Sequence, residues 1–517
     1  MASKRPKNES SGKSRIPNFF KMSILERISA LHEKGLLSSN DVRQLTSSDH
    51  QLNINVADKM IENVVGVFGL PMGVALNFLI NNQDYVVPLA VEEPSIVAGL
   101  SGAARISRLS GGFTTNEVDT ILIGQVQSVI TGDPATAAKN VEEKKSEIIS
   151  LANSLHPKMV ARGGGVIDVE VHQHKATHDS RNMVVVHLLV DTREAMGANL
   201  VNAMCEAVAS LVETLTQGKV FLRILSNLTD RAIAKVKVQI PTINLAGKGF
   251  SGEEVRDGIV LANDLALVDP YRAATHNKGI MNGVDAVAVA TGNDWRAIEA
   301  AAHAFAAKEG HYKALTEWYP SKEGDLVGEI TIPMKVGTVG GSLETNPSVK
   351  INHRLLGSPS ASELAAVMAS VGLAQNFAAL RSLSTDGIQQ NHMTLHARSV
   401  ASSAGVNDEY FEAVVDQLIE SGEIKVWKAK EIASNLSRKI TRPQISERQS
   451  ACGKIILLGE HAVVYGRPAI ALPIPLAVEA SVRSDKSGDG INIIIPRWGL
   501  EQKVKVNAQG FAGILAN

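Results

Sequence analysis

Apolar and polar residues alternate along the chain with two periods, one typical of helices and one typical of strands. Helical spacing occurs at residues 23–34, 57–64 and 361–383, the last of these rich in alanine. A β-rich run at residues 84–91 ends before Pro94, which cannot continue a central strand. The pattern predicts an α+β fold whose larger part is rich in helices.

A self-contained unit is predicted at residues 120–227. Its segments follow the order βαββαβ of the ferredoxin-like split fold: strand 121–130, helix 134–152, strands 165–173 and 183–190, helix 197–215 and strand 220–226. This unit interrupts a large domain made of residues 16–119 and 228–387. A helical segment at residues 388–435 follows, and residues 436–449 form a polar linker.

The composition is ordinary for a soluble globular protein, with 44% hydrophobic and 20% charged residues. The formal net charge of −1 gives no reason to expect binding to nucleic acid or to a membrane surface. No apolar run approaches the ~18 residues of a membrane helix, and residues 1–15 are polar and basic, which predicts a disordered tail. With Cys205 and Cys452 as its only cysteines, the chain suits the reducing cytoplasm.

The segment at residues 269–303 contains the first candidate for chemistry. Lys278 stands among small and aliphatic residues typical of a buried helix, and a buried ammonium requires a carboxylate partner. Asp269, Asp285 and Asp294 are the nearest candidates along the chain. The pattern equally allows an exposed Lys278 and an Asp294 that only caps the next helix.

Three further groups could act on a ligand. Glu93 lies between an apolar strand and an alanine-rich helix, beside the positive end of the helix dipole. Residues 190–199 pass from a strand into a helix, whose free N–H groups can bind a phosphate. His172, His174 and His178 are accompanied by no cysteine or acidic cluster, so we predict solvated histidines and no metal.

Five stretches match one family in order: ENVVG at 62–66, VEEPS at 91–95, AMGAN at 195–199, residues 269–301, and HM at 392–393. In these, and over about residues 16–441, the chain resembles 3-hydroxy-3-methylglutaryl-coenzyme A reductase of the soluble, bacterial class. The resemblance implies reduction of the CoA thioester to mevalonate and free CoA with two NAD(P)H, in the mevalonate route to isoprenoids. It also implies a substrate-binding large domain, a dinucleotide-binding insert and a cytoplasmic homodimer with shared sites, often gathered into larger assemblies.

The resemblance assigns roles to individual side chains. Lys278 would stabilise an oxyanion, Asp294 would hold the charge of that lysine, and Glu93 would donate a proton. His392, on a mobile C-terminal segment at residues 388–435, would protonate the departing thiolate. The expected substrate-binding residues are Ser95, Arg272 and Asn282, with Asn282 near the nicotinamide amide.

The expected cofactor-binding residues include Met196, Gly197, Asn199 and Glu194, which replaces the aspartate usual in the family. His156 and Lys158 stand where NADH-preferring relatives present an acid. An acid repels a 2′-phosphate, so these two residues favour NADPH over NADH.

Residues 450–466, SACGKIILLGEHAVVYG, resemble the opening of mevalonate kinase, with Cys452 in place of the usual proline. No glycine- and serine-rich ATP loop follows in the remaining residues. We therefore expect residues 450–517 to form a partial α/β, kinase-like segment without kinase activity, either a truncated fusion partner or a decayed tail.

Two other functions stay open at this point. A CoA-dependent acyl-transfer enzyme would use the same fold without a nicotinamide. A non-catalytic binding protein would be expected to lack one of the four catalytic residues, and all four are present.

Overall fold

The computed structural model describes residues 12–247, 249–385, 388–440, 448–458, 470–481, 491–495 and 500–504. The chain divides into two compact units, Met1–His396 and Ala397–Asn517.

The first unit begins with three helices and a β-hairpin. In order, the elements are α1 (Ile24–Glu33), α2 (Ser39–Ser47), α3 (Ile54–Ala57), β1 (Met72–Ile80), β2 (Gln83–Ala90), α4 (Ile96–Arg108) and β3 (Thr114–Thr115). Ser23 starts α1 with a capping box, because its hydroxyl accepts from Glu26 N while the Glu26 carboxylate accepts from Ser23 N. β1 and β2 pair antiparallel.

Two features of this region differ from the sequence-based expectation. The helix expected at residues 57–64 does not form; α3 ends at Ala57, and Asn63 has a φ of 57°, a left-handed value incompatible with an α-helix. The ordered chain also reaches into the expected tail at residues 1–15. Ser14 is buried and donates to Asp84, which pairs with Arg108 at 2.6 Å.

The inserted part of the unit contains a four-stranded sheet. Its elements are β4 (Ile121–Ile130), α5 (Pro134–Glu143), α6 (Lys145–Ser154), α7 (Pro157–Val160), β5 (Gly165–Lys175), β6 (Asn182–Asp191), α8 (Ala198–Thr216) and β7 (Lys219–Ser226). The strand order is β5-β6-β4-β7, and all neighbours are antiparallel. Helices α5, α6 and α8 bury one face of this sheet around Val126, Val186 and Met204. The helix expected at residues 134–152 is divided in two, because Lys144 leaves helical geometry.

The chain then returns to the large domain. Its elements are β8 (Ile233–Ile240), α9 (Gly252–Val268), α10 (Pro270–Ala290), α11 (Trp295–Ala306), β9 (Thr316–Pro320), β10 (Leu326–Pro333), α12 (Ser342–Thr345), α13 (Pro347–Leu355) and α14 (Ala361–Leu383). Strands β3-β8-β10-β9 form an antiparallel sheet. By length and composition α14 could cross a membrane, but 83% of its apolar window is buried inside the fold, as in a core helix. Gly283 of α10 permits the close approach to Val371 of α14.

The second unit contains the end of α15 (Ile388–Ser403), α16 (Phe411–Ser421), α17 (Val426–Ile440) and four strands, β11 (Arg448–Leu458), β12 (Ile470–Ser481), β13 (Ile491–Ile495) and β14 (Leu500–Val504). The division falls inside α15 rather than at residue 388, because Ala397 and Val400 pack with Val414 and Leu418. The expected linker at residues 436–449 overlaps α17 and β11 at its ends, and residues 441–447 lie outside the described residues. β11 pairs with β12, and β13 with β14, both antiparallel.

Candidate active site

Lys278 and Glu93 form the central contact of the candidate site. Lys278 lies on α10 and Glu93 in the turn between β2 and α4, and the Lys278 Nζ donates to Glu93 Oε2 at 2.9 Å. The two side chains are 62% and 41% exposed. Of the two environments left open for Lys278, the structure has the exposed one. Its carboxylate partner is Glu93 rather than an aspartate nearby in sequence.

The two residues that precede Lys278 in the sequence, His276 and Asn277, are the polar residues that α10 buries. Nε2 of His276 lies 2.6 Å from Oγ1 of Thr316, and Leu315 N donates to the Asn277 side chain at 3.0 Å. Burial lowers the pKa of His276 to about 3, so its imidazole is neutral at pH 7. These bonds tie α10 to the start of β9 and fix the rotation of the helix, which leaves Lys278 on its outer face.

The turn that carries Glu93 has a strained backbone. Ser95 has a φ of 76°, a left-handed conformation that costs free energy in a residue other than glycine. Its hydroxyl is buried without a hydrogen-bond partner in the described part of the chain, and it does not cap α4. An unpaired buried hydroxyl is also costly, so Ser95 is poised to bond to a polar ligand atom.

Asn282 lies one helical turn after Lys278, on the same face of α10 and about 6 Å further along the axis. Asp285 continues this face, and its carboxyl contacts Glu299 of α11. Burial, followed by the hydrogen bond and charge of Glu299, raises the pKa of Asp285 to about 8. Arg272 is half-buried near the start of α10, and burial lowers its pKa, with no contribution from a carboxylate among the described residues.

Asp294 lies beyond the other end of α10. It caps α11 by accepting from Ala297 N at 3.1 Å, and its carboxylate is 3.8 Å from Arg296. Lys278 precedes the end of α10 by twelve residues (290 − 278), or about 18 Å of helix. Among the described residues, Lys278 pairs with Glu93, whereas Asp294 pairs with Arg296.

His392 falls within α15, and its side chain lies outside the described residues. The geometry of the described residues therefore neither joins it to Lys278 nor separates it from Lys278. His396, one turn further on, is exposed.

A cavity of about 780 Å³ opens beside the inserted unit. The residues of its wall include His156, Lys158, Arg162, Arg193 and Glu194. Three of the predicted cofactor-binding residues, His156, Lys158 and Glu194, are thus brought together from separate parts of the sequence. Arginine and lysine can hold a phosphate, so the cavity suits a phosphorylated ligand.

The turn from β6 into α8 carries the other three predicted cofactor-binding residues, Met196, Gly197 and Asn199. Gly197 has a φ of 91° immediately before α8, and a Cβ there would lie 2.4 Å from the Thr192 side chain. Only glycine fits this position without displacing its surroundings. The free N–H groups of α8 therefore begin at an unobstructed turn.

Glu194 lines the cavity, but its carboxylate joins the inserted unit to the large domain. Oε2 accepts from Thr338 Oγ1 at 2.6 Å and from Ala361 N at 2.8 Å. Lys335, which the sequence analysis missed, supports the same turn: its Nζ donates to Ala195 O at 2.9 Å, and burial lowers its pKa to about 8. A single charge in the mostly apolar stretch 330–336 is the signal that could have identified it.

A second cluster of titratable groups lies outside the cavity wall, on the sheet of the inserted unit. The ligand atoms of Glu170, His172 and His187 lie within 4.8 Å of one another. Of the three histidines considered in the sequence, only His172 belongs to this cluster. His187 comes from the neighbouring strand, and burial together with the charge of His172 lowers its pKa to about 4.

An exposed ammonium beside a carboxyl, together with a separate cationic cavity, suits an enzyme that stabilises an oxyanion and binds a phosphorylated cofactor. Residues 23–397 match the family model described as hydroxymethylglutaryl-coenzyme A reductase. The chain is therefore an oxidoreductase.

Two relatives are similar over most of their length. The 3-hydroxy-3-methylglutaryl-coenzyme A reductase of Archaeoglobus fulgidus is 48% identical over 423 residues, which are 82% of this chain and 95% of the relative. A probable reductase of Borreliella burgdorferi is 35% identical over 342 residues, covering 66% and 77%.

Two solved reductase structures are also similar to this chain. The reductase from Streptococcus pneumoniae has a TM-score of 0.70 and 44% identity, covering 81% of this chain and 99% of that one. A class II reductase from the same organism, bound to NADPH in open conformations, has a TM-score of 0.69 and 45% identity, covering 71% and 99%. The chain belongs to the hydroxymethylglutaryl-coenzyme A reductase family, and it reduces the CoA thioester in the mevalonate pathway. The family resemblance seen in the sequence motifs is confirmed.

Proposed function

We propose that Lys278 stabilises the oxyanion and that Glu93 donates the proton in the reduction of 3-hydroxy-3-methylglutaryl-CoA to mevalonate. The observation that carries this proposal is the 2.9 Å contact between Lys278 Nζ and Glu93 Oε2. Negative charge develops twice on the former carbonyl oxygen, and a positioned ammonium stabilises it. Glu93, already hydrogen-bonded to that ammonium, is close enough to protonate the same oxygen when the aldehyde is reduced.

A second copy of the chain would complete the site in a homodimer. Asn293, adjacent to Asp294, accepts from Gly337 N at 2.8 Å, and Gly337 lies against Met196 of the turn before α8. Asp294 would therefore lie at the nucleotide end of its own protomer, beside the turn before α8. In a two-fold dimer, the nucleotide end of one subunit would meet the Lys278 end of the other.

The exposed stretch at residues 61–70 supports such an association. Val65 and Phe68 are 99% and 92% exposed, and Ile61 is 65% exposed. Apolar side chains grouped on a surface favour burial against a partner. The same stretch contains the ENVVG motif, so its burial would bring it towards the site of the second subunit.

The inserted unit, with the strand order given above, would be a ferredoxin-like dinucleotide-binding domain, and NADPH its cofactor, with NADH as the alternative. When bound, the nicotinamide supplies the two hydrides. His156 and Lys158 would attract a 2′-phosphate. Glu194, the acid in the wall of this cavity, is held on the large-domain side by hydrogen bonds from Thr338 and Ala361. The start of α8, with Met196, Gly197 and Asn199, would hold the pyrophosphate.

The substrate would be held by polar groups that have no hydrogen-bond partner in the described part of the chain. The unpaired hydroxyl of Ser95 and the guanidinium of Arg272 would bind the hydroxyl and carboxylate of the acyl group, since arginine grips a carboxylate at two points. Asn282, one turn from Lys278, would contact the reacting end near the nicotinamide amide. His392 would protonate the departing CoA thiolate, because imidazole titrates near neutral pH. We propose a cytoplasmic enzyme.

A spectroscopic assay tests this function directly. The dialysed chain is mixed with 3-hydroxy-3-methylglutaryl-CoA and NADPH or NADH, and absorbance and free thiol are followed together. We expect two reduced nucleotides to be oxidised for each thiol released. Thiol release without loss of absorbance would instead indicate acyl transfer, and no change in either would indicate a binding protein.

Residues 450–517 would form a separate, partial mevalonate-kinase-like segment. Its support is the sequence at residues 450–466 and the antiparallel pairing of β11, which contains the first part of that sequence, with β12, which follows it. Incubation of the chain with mevalonate and ATP should give no phosphomevalonate. Product formed at an enzymatic rate would contradict this.

A further inference from the structure

Three neighbouring strands of the inserted unit place polar side chains in one row. Gln125 of β4 is the register partner of His187 on β6, and His187 is the register partner of Glu170 on β5. Their sequence neighbours Val126, Val186 and Val169 belong to the core under the helices. Since side chains alternate between the faces of a sheet, this polar row lies on the face opposite the helices.

His172 joins the row from the same strand as Glu170. It is two residues further along β5 and therefore on the same face. The rings of His172 and His187 have centroids 4.2 Å apart, and His172 Nε2 is 3.6 Å from Glu170 Oε2. That nitrogen is buried and has no hydrogen-bond partner among the described residues. A buried ring nitrogen without a partner thus lies beside a carboxylate and a second imidazole.

We propose that Glu170, His172 and His187 bind a divalent transition-metal ion of the Zn²⁺ class. Two imidazoles and one carboxylate are a ligand set that Zn²⁺ accepts, with water in the fourth position. Around a tetrahedral Zn²⁺ with bonds of about 2.1 Å, ligand atoms lie roughly 3.4 Å apart. The 3.6 Å between His172 Nε2 and Glu170 Oε2 is close to this value, and the 4.8 Å limit for the whole set requires only small side-chain rotations.

Groups around the three ligands hold them in position. Arg231 donates to Glu170 Oε1 at 2.7 Å, which leaves Oε2 as the oxygen nearest His172. The side-chain amide of Gln125 lies 2.8 Å from His187 Nε2 and orients that ring. Carboxylates and imidazoles that bind metals are commonly oriented by such outer hydrogen bonds. Nitrogen ligands also favour Zn²⁺ over Mg²⁺ or Ca²⁺, which prefer oxygen.

The position of the ligands predicts what the ion does. Glu170 and His172 lie on β5 and His187 on β6, while Arg231 lies on the connection from β7 back to the large domain. A bound ion would link the edge strand to its neighbour beside this connection. Because it binds the folded state alone, it should raise the thermal midpoint of the protein.

Metal uptake by the untagged full chain tests the proposal. After treatment with a chelator and removal of the chelator, the protein is titrated with Zn²⁺ by calorimetry, and with Co²⁺ for its visible absorption. We expect one equivalent bound per chain and a rise in thermal midpoint. His187→Gln and Glu170→Gln should each weaken binding at least about tenfold and remove that rise.

The matched control is His174→Gln, which alters an exposed histidine on β5 outside the set of three ligands. It should bind Zn²⁺ as the unaltered chain does. Circular dichroism checks that every variant is folded. Glutamine has nearly the shape of glutamate, so Glu170→Gln tests the site even if the His187→Gln variant misfolds. No uptake by the unaltered chain, or equal uptake by the His187→Gln and Glu170→Gln variants, would overturn the proposal.

Discussion

The middle of α10 and its C-terminal end are tied to the protein in different ways. In the middle, Lys278 reaches solvent and pairs with Glu93, which lies in a turn with a strained backbone. At the C-terminal end, Thr291 is fully buried and Asn293 accepts from Gly337 N, so the loop before Asp294 is fixed against a turn of the large domain. The middle of the helix therefore carries an exposed ion pair, and its C-terminal end carries a rigid support. About 18 Å of helix separates Lys278 from Ala290, the last residue of α10.

The largest effect should come from removing the ammonium of Lys278 in the middle of α10. Lys278→Ala is expected to lower kcat at least about 10³-fold, because the oxyanion loses its ammonium. The fold should persist, since the side chain is 62% exposed and pairs with Glu93 at the surface. Steady-state kinetics and a thermal melt measure the two effects.

Lys308→Ala is the matched control for Lys278→Ala. Lys308 is 52% exposed and pairs with Asp230 at 3.0 Å, so it has a similar environment away from α10. Its variant should keep nearly full activity. A Lys278→Ala enzyme that retains a large share of kcat would remove Lys278 from the chemistry.

A mixing experiment tests whether Lys278 of one subunit and Asp294 of the other form one site. Lys278→Ala and Asp294→Asn chains, each inactive alone, are unfolded together and refolded as an equal mixture. In a two-fold dimer with shared sites, half the dimers are mixed and each has one intact site, so activity should return to about a quarter of the unaltered level.

The same mixture stays inactive if each subunit carries a whole site. A fully active monomer in light scattering would also contradict the shared site. Either result would mean that the separation of Asp294 from Lys278 has another explanation.

The sequence predicted the bounds of secondary-structure elements more accurately than the contacts between distant residues. The strand at residues 121–130 coincides with β4 (Ile121–Ile130), because its apolar pattern and the flanking Asp133 cap give clear limits. The Lys278–Glu93 pair spans 185 residues, and no local pattern encodes it. The family motifs brought both residues into the site, but the pattern left the exposure of Lys278 open.

The exposure of Lys278 could not be predicted because the residues beside it are also polar. His276 and Asn277 are the polar groups that α10 buries, and their partners Thr316 and Leu315 come from the next sheet. Periodicity alone does not reveal which of three adjacent polar residues faces the core. The pairing of His187 with Glu170 was missed for a similar reason, because strand register is set by tertiary pairing.

A smaller effect is expected in the cavity of the inserted unit, where Lys158 lies. Lys158→Ala should raise KM for NADPH by roughly tenfold and change KM for NADH little, because only NADPH carries the 2′-phosphate. Lys139→Ala, an exposed lysine of α5 in the same unit, serves as the control. Equal changes in KM for the two nucleotides would show that Lys158 does not recognise the 2′-phosphate. A strong preference of the unaltered enzyme for NADH would contradict NADPH as the cofactor.

The smallest effect concerns Asp285, which lies on α10 between Lys278 and the end of the helix, and its partner Glu299 on α11. Burial and the neighbouring Glu299 raise the pKa of Asp285 to about 8 from its ordinary value of 3.8. Between these values the folded state keeps a proton that the unfolded state releases, so this group makes the protein less stable as pH rises from about 4 to about 8. Asp285→Asn removes the titrating group and should raise the thermal midpoint at pH 8 by about 2 °C, with less effect near pH 5. Asp264→Asn, at an exposed carboxylate of α9, should leave the pH dependence unchanged. Melting curves from pH 5 to pH 8 measure this effect. A rise in thermal midpoint that is the same at every pH would mean that packing, rather than the proton on Asp285, determines the effect of the substitution.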